Sequence, residues 1–135
     1  MKYQVLLVDD EEPILRLLKT VLEMADFSVS VASSASEAIK VLRQELFDVV
    51  VTDLRMETPL AGYEVVRAAG RCEHIPLRVI LTAFPVPPVE WRRSGADALI
   101  TKGGESLRLA ERLKALLLQR HPHPTKPPEH RQPSK

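Results

Sequence analysis

Five polar side chains in this sequence each follow a short apolar run. Asp9 and Asp10 close residues 5–8, Asp53 closes 49–52, Thr82 ends 77–81, and Lys102 follows 98–101. Three carboxylates brought close together repel one another, and their pKa values rise unless a cation holds them. Carboxylates, carbonyls and water suit Mg²⁺, which takes few protein ligands and bridges readily to phosphate. A lysine supplies a compact positive charge for an anion, and a threonine hydroxyl offers one hydrogen bond. A metal, an anion-binding lysine and a nucleophilic carboxylate are the parts needed to form an aspartyl phosphate. Phosphoryl transfer asks mainly for positioning and charge neutralisation, and this set offers both. Each residue also has a plain reading: Asp9 and Asp10 as helix caps, Asp53 as a turn residue, Thr82 as a strand residue, Lys102 as a solvated loop residue. All the plain readings together require four strands to end in suitable polar groups by accident.

The elements that must deliver these groups follow from periodicity. Val49-Val50-Val51 is a continuous β-branched run, as suits a strand buried on both faces of a parallel sheet. Val5-Leu6-Leu7-Val8 reads the same way, with Pro13 behind it fitting the first turn of a helix that acids favour at its start. Ile14, Leu17, Leu18, Val21 and Ala25 predict the inward stripe of that helix. Residues 27–32 alternate with period two, as an edge or half-buried strand does. Ser34 and Glu37 match a capping box, followed by an apolar stripe of Ala38, Ile39, Leu42 and Leu46. A short third helix is expected from about Tyr63 to Ala69, with Val65, Val66 and Ala69 inward. Pro85, Pro87 and Pro88 confine the fourth helix to the stretch from Pro88 to about Ser94, and Gly95 ends it. Ser106 is a candidate cap for the last helix, with Leu109, Ala110, Leu113, Leu116 and Leu117 inward. Strand and helix thus alternate five times. That predicts one α/β domain, a parallel five-stranded sheet with helices on both faces and right-handed crossovers.

A chain of 135 residues with 44% hydrophobic and 27% charged side chains fits one ordinary globular domain. Its single cysteine, Cys72, excludes an internal disulfide framework and points to a reducing, cytoplasmic setting; it lies in the polar stretch Arg71-Cys72-Glu73-His74 and is not expected to be a catalytic thiol. No apolar run reaches the roughly 20 residues that span a membrane, and the first residues lead straight into a strand, so no signal peptide is expected. The net charge is +1, but residues 121–135 carry three of the 19 basic and one of the 18 acidic side chains. The remaining 16 basic and 17 acidic groups leave a net of −1, with no electrostatic footprint for nucleic acid. Five of the eleven prolines fall in that tail, which is expected to be a disordered tail or linker after a domain spanning residues 1–120. Its three histidines, His121, His123 and His130, are separated by prolines and read as solvated rather than metal-binding.

Across about residues 3–119 the chain resembles the response-regulator receiver domains of two-component systems, of the chemotaxis-regulator kind. The resemblance rests on Leu7-Val8-Asp9-Asp10-Glu11, Val51-Thr52-Asp53-Leu54-Arg55-Met56, Leu81-Thr82-Ala83 and the run Ser94-Gly95-Ala96-Asp97 through Lys102, in that order and spacing. It implies a flavodoxin-like fold with strand order 2-1-3-4-5. It also implies Asp53 as acceptor of a phosphoryl group from a histidine kinase or small phosphodonor, with autodephosphorylation rather than conventional enzymatic turnover. Asp10 would bind Mg²⁺ directly and Asp9 through water, beside Asp53 and the backbone carbonyl of Arg55. Thr82 and Lys102 would hold the phosphoryl oxygens. Output would run through protein contact, and homodimers would form on the face of the fourth helix, fifth strand and fifth helix.

Four departures from that family stand out. Gly103 replaces the proline that follows the lysine, often after a cis bond, so the loop is expected to be reshaped. Leu99 occupies the aromatic switch position and offers neither ring nor hydroxyl. Thr58-Pro59 and Gly62 imply a one-residue insertion after Asp53. The 85–88 proline cluster shortens or displaces the fourth helix. Phe84 and Arg55 occupy positions that flank the cleft in the family, so dephosphorylation kinetics are expected to be altered. Trp91 reads either as local packing over the proline-rich segment or as a partner contact. A receiver-like interaction module that no longer switches is therefore the competing function. A hydrolase ranks below both, for want of a Ser/His/Asp set or a second nucleophile.

Overall fold

The computed structural model describes residues 2–103 and 108–120. The expected Ser106 cap and the 121–135 tail lie outside the described residues. Five strands and five helices alternate: β1 (Gln4–Val8), α1 (Glu12–Met24), β2 (Ser28–Ala32), α2 (Ala35–Gln44), β3 (Val49–Thr52), α3 (Ala61–Gly70), β4 (Leu77–Thr82), α4 (Pro88–Arg93), β5 (Ala98–Thr101) and α5 (Leu109–Arg120). The strands are parallel, in the order β2-β1-β3-β4-β5, as the resemblance implied. This is the doubly wound flavodoxin-like architecture.

Strand pleat decides which residues face which helices. Val5, Leu7, Val49, Val51, Val79, Leu81 and Ile100 form one core with Leu15, Leu18 and Leu22 of α1 and Leu109, Leu113 and Leu117 of α5. Leu6, Val8 and Val50 face the opposite way, onto Ala35, Ala38 and Leu42 of α2 and Ala61, Val65 and Ala69 of α3. Because both faces are covered, all four residues of β3 are buried.

One expected stripe is displaced. In α1 the buried residues are Leu15, Leu18 and Leu22, whereas Leu17 is 57% exposed and Ile14, Val21 and Ala25 are only partly buried. Apolar residues are too dense between Ile14 and Leu22 to fix the phase of the helix, and the seat against β1, β2 and α5 selects one row. Leu46 similarly falls beyond the end of α2. The capping box is half formed: Ser34 Oγ accepts from the Glu37 N–H at 3.0 Å, while the Glu37 carboxylate accepts from Ser33 instead. The fourth helix is six residues long with no buried residue, and Gly95 follows it at φ +100°. The proline cluster thus has the effect its chemistry predicts.

Candidate functional site

All five strands point their C-terminal ends to one edge, and β1, β3, β4 and β5 are successive neighbours there. Asp9 and Asp53 are buried, 2% and 7% exposed, and the Asp53 N–H is pinned to the Val8 carbonyl at 2.9 Å. Lys102 reaches back over this edge. Its Nζ lies 2.9 Å from Asp9 Oδ2 and 3.0 Å from Asp53 Oδ2, with Glu11 Oε1 at 3.5 Å. Thr82 is buried at the end of β4, its carbonyl accepts from the Lys102 N–H at 2.8 Å, and its Oγ1 accepts from the Phe84 N–H at 3.3 Å. Asp10 is exposed, yet carboxylate oxygens of Asp9, Asp10, Glu11 and Asp53 all lie within 4.8 Å of one another. The edge therefore gathers the five groups singled out in the sequence, and adds Glu11, whose place directly after Asp10 was its only signal.

Burial pushes the Asp53 carboxyl above the ordinary range; the Lys102 ammonium and the Leu54 N–H, which donates to Oδ1 at 2.8 Å, pull it down without cancelling that effect. Burial also works against the charge of Lys102, but its hydrogen bonds to Asp9 and Asp53 outweigh this and hold the ammonium above its usual range. A lysine kept charged among several carboxylates leaves the edge short of positive charge. Four carboxylates with converging oxygens fit a hard divalent cation.

The loop after Asp53 is set by Gly62. Its N–H donates to the Leu54 carbonyl at 2.8 Å, and a Cβ there would collide with the Asp53 carbonyl oxygen and lie 2.7 Å from Leu54 Cα. Both obstacles are backbone. Gly62→Ala is therefore expected to cost about 2 kcal/mol, through overpacking that no rotamer relieves. A denaturant midpoint equal to wild type would contradict it.

At the mouth of the edge the Arg55 guanidinium stacks on the Phe84 ring, 4.2 Å from its centroid, so the two flanking residues touch. Leu54, Tyr63, Val66, Ile80 and Ala96 form a third apolar cluster, with Val86, Trp91 and Leu99 packed on it. Trp91 thus packs locally. Tyr63, which the sequence marked only as a helix start, donates its hydroxyl to Glu90 of α4 at 2.6 Å. Burial and the Glu90 carboxylate push that hydroxyl well above its usual range. Gly103 is exposed at φ +111°, and no cis peptide occurs among the described residues. Cys72 is half-buried against the Leu42 and Ala68 carbonyls, and burial pushes its thiol up, away from reactive thiolate character.

Residues 5–114 match the family model described as the response regulator receiver domain. The chain belongs to this family. The receiver domain is 34% identical over 119 residues to the transcriptional regulatory protein SrrA of Staphylococcus aureus, covering 87% of this chain and 48% of that protein. The chain thus spans about half the length of the curated relatives it matches. Among solved structures it is similar to the response regulator TrrA of Thermotoga maritima in complex with Mg²⁺ and BeF (28% identity, TM-score 0.76, 87% of this chain and 100% of that one). It is similar also to the chemotaxis response regulator CheY4 of Vibrio cholerae (26% identity, TM-score 0.77, 87% and 100%). No helix among the described residues is long and apolar enough to cross a membrane.

Proposed function

We propose that this receiver accepts a phosphoryl group on Asp53 from a histidine kinase, a phosphotransfer protein or a small phosphodonor, and signals by protein contact. The observation that carries the reading is Lys102 Nζ, held 2.9 and 3.0 Å from Asp9 and Asp53 beside the converging acids. Asp10, Asp9 and Asp53, with the Arg55 carbonyl, would hold Mg²⁺; Glu11 is close enough to join through water. When bound, the ion would neutralise charge on the transferring phosphoryl group. An Asp53 Oδ attacks phosphorus, the bond from phosphorus to the donor atom breaks, and the leaving group departs with that electron pair. Lys102 then pairs with a phosphoryl oxygen, and the Thr82 hydroxyl donates to another. The receiver would occupy residues 1–120 in the cytoplasm, with 121–135 as tail or linker. The charge balance gives this segment no nucleic-acid footprint. That concerns the segment alone, since SrrA is by name a transcriptional regulator. Exposed Val89 and Leu118, on α4 and α5, suit the family's dimer face.

Mg²⁺ with acetyl phosphate should yield a labile adduct on the wild-type chain; no adduct from any donor or cognate kinase would favour the non-switching module. That second reading draws on Leu99, a ringless residue at the switch position within the third cluster. A beryllium fluoride complex that leaves this cluster unmoved would separate phosphorylation from switching.

The Arg55–Phe84 stack joins residues two positions beyond Asp53 and Thr82, where it would alter the access of water to a phosphoryl group. Replacing both by serine should change the adduct's lifetime by about threefold or more, in line with a lost cation–π contact of about 0.5–1 kcal/mol. An unchanged lifetime after removal of excess donor would sink this.

A further inference from the structure

The loop between β3 and α3 carries both Asp53 and the carbonyl of Arg55, yet residues 57–60 are exposed and Met56 only half-buried. Its inner end is fixed by the Asp53 N–H on Val8, and its outer end by the Gly62 N–H on Leu54. Between them, the Glu57 side chain ties the exposed crest to α2. Glu57 Oε1 accepts from the Ala35 N–H at 2.9 Å, and Oε2 accepts from the Ser36 N–H at 3.1 Å. These are first-turn donors of α2, which no intrahelical carbonyl can satisfy, at the end of the helix where negative charge is favoured. Ser34 takes the next donor, Glu37 N–H. A hydrogen bond from the Met56 N–H to the Thr58 carbonyl at 3.1 Å closes the chain tightly around Glu57, so holding its carboxylate also holds the backbone beside Arg55.

We propose that Glu57 is a positioning residue for the phosphorylation site: its two-pronged bond to α2 fixes the loop so that the Arg55 carbonyl is in place for the divalent ion. The inference rests on the proposed reading of the site. A purely structural role, as a cap of α2, would show in stability alone. Ser34→Ala is the control, because it removes a cap from the same turn without touching the loop.

Glu57→Ala and Glu57→Gln are expected to weaken Mg²⁺ binding by about tenfold, near the lower end of what outer-shell partners of metal ligands contribute, with Gln the milder because one acceptor oxygen remains. Calorimetric titration with Mg²⁺ alone reads this, and the Mg²⁺ dependence of labelling by acetyl phosphate should shift in parallel. Ser34→Ala should lower the melting temperature and leave Mg²⁺ affinity within about twofold, as expected where no ligand's support is lost. Equal Mg²⁺ affinity in wild type and both Glu57 variants, or equal weakening in Ser34→Ala, would overturn the positioning role. A wild-type chain that takes up no Mg²⁺ would overturn the reading of the site itself, and this inference with it.

Discussion

Asp53→Asn is expected to abolish phosphoryl incorporation from acetyl phosphate while making the metal-free protein more stable. The first half follows from chemistry: an amide is too poor a nucleophile to take the phosphoryl group. The second half follows from burial. Asp53 is 7% exposed, and desolvation lifts its carboxyl above the ordinary value despite the help of Lys102. A group whose folded pKa is raised supports folding below its unfolded value and withdraws that support as pH climbs through the folded one. At neutral pH the charged Asp53 therefore works against the fold, and asparagine removes the penalty with almost no change in volume. The melting temperature in buffer without divalent ions should rise by roughly 2–5 °C, as a gain near 1 kcal/mol gives in a domain of this size. Wild-type stability should also fall as pH rises above the ordinary carboxylate range, and the variant should lose part of that slope. Loss of labelling accompanied by lower stability would mean that the variant fails by misfolding, and a labelled variant would remove Asp53 from the chemistry.

Lys102→Ala should damage both stability and reaction. Its ammonium faces Asp9 and Asp53 from just past the end of β5, at 2.9 and 3.0 Å, and the lysine side chain is only 11% exposed. Removing one partner of a buried pair leaves the other charge uncompensated, at a cost of about 3 kcal/mol here. Added Mg²⁺ should return part of that loss. The rate of labelling at saturating Mg²⁺ should drop by about 100-fold, since a donor aimed at developing charge is gone. Lys102→Arg separates the two effects. A guanidinium keeps the charge but is planar, larger and unable to act as a compact point donor, so stability should recover further than rate. Labelling of Lys102→Ala at the wild-type rate would contradict the role given to this residue, whatever happened to its melting temperature.

The local signals were strong where the physics is local. A β-branched run such as Val49-Val50-Val51 needs two covered faces, and the structure buries all of it. Prolines at 85, 87 and 88 remove donors wherever the chain goes, so the shortness of α4 was readable without coordinates. Because every strand in a parallel sheet ends at the same edge, Asp9, Asp10, Asp53, Thr82 and Lys102 could be placed together from order alone. Their chemistry could be read from residue type.

Side-chain reach and helix phase are different. Ile14, Leu15, Leu17, Leu18, Val21 and Leu22 satisfy more than one helical row, and only the seat against β1, β2 and α5 decided that Leu15, Leu18 and Leu22 go inward. Glu57 meets the N-terminus of α2 across 22 positions, Tyr63 meets Glu90 across 27, and Lys102 meets Asp53 across 49. Periods of 2 and 3.6 residues carry no information about such pairings. By itself the sequence determined the alternation of strands and helices, the buried runs and the row of polar groups at one edge. The tertiary structure alone decided that Glu11 joins that row, that Arg55 lies on Phe84, and that Glu57 anchors the loop beside Asp53. Contacts of that kind depend on where distant loops are carried by the packing of the whole sheet.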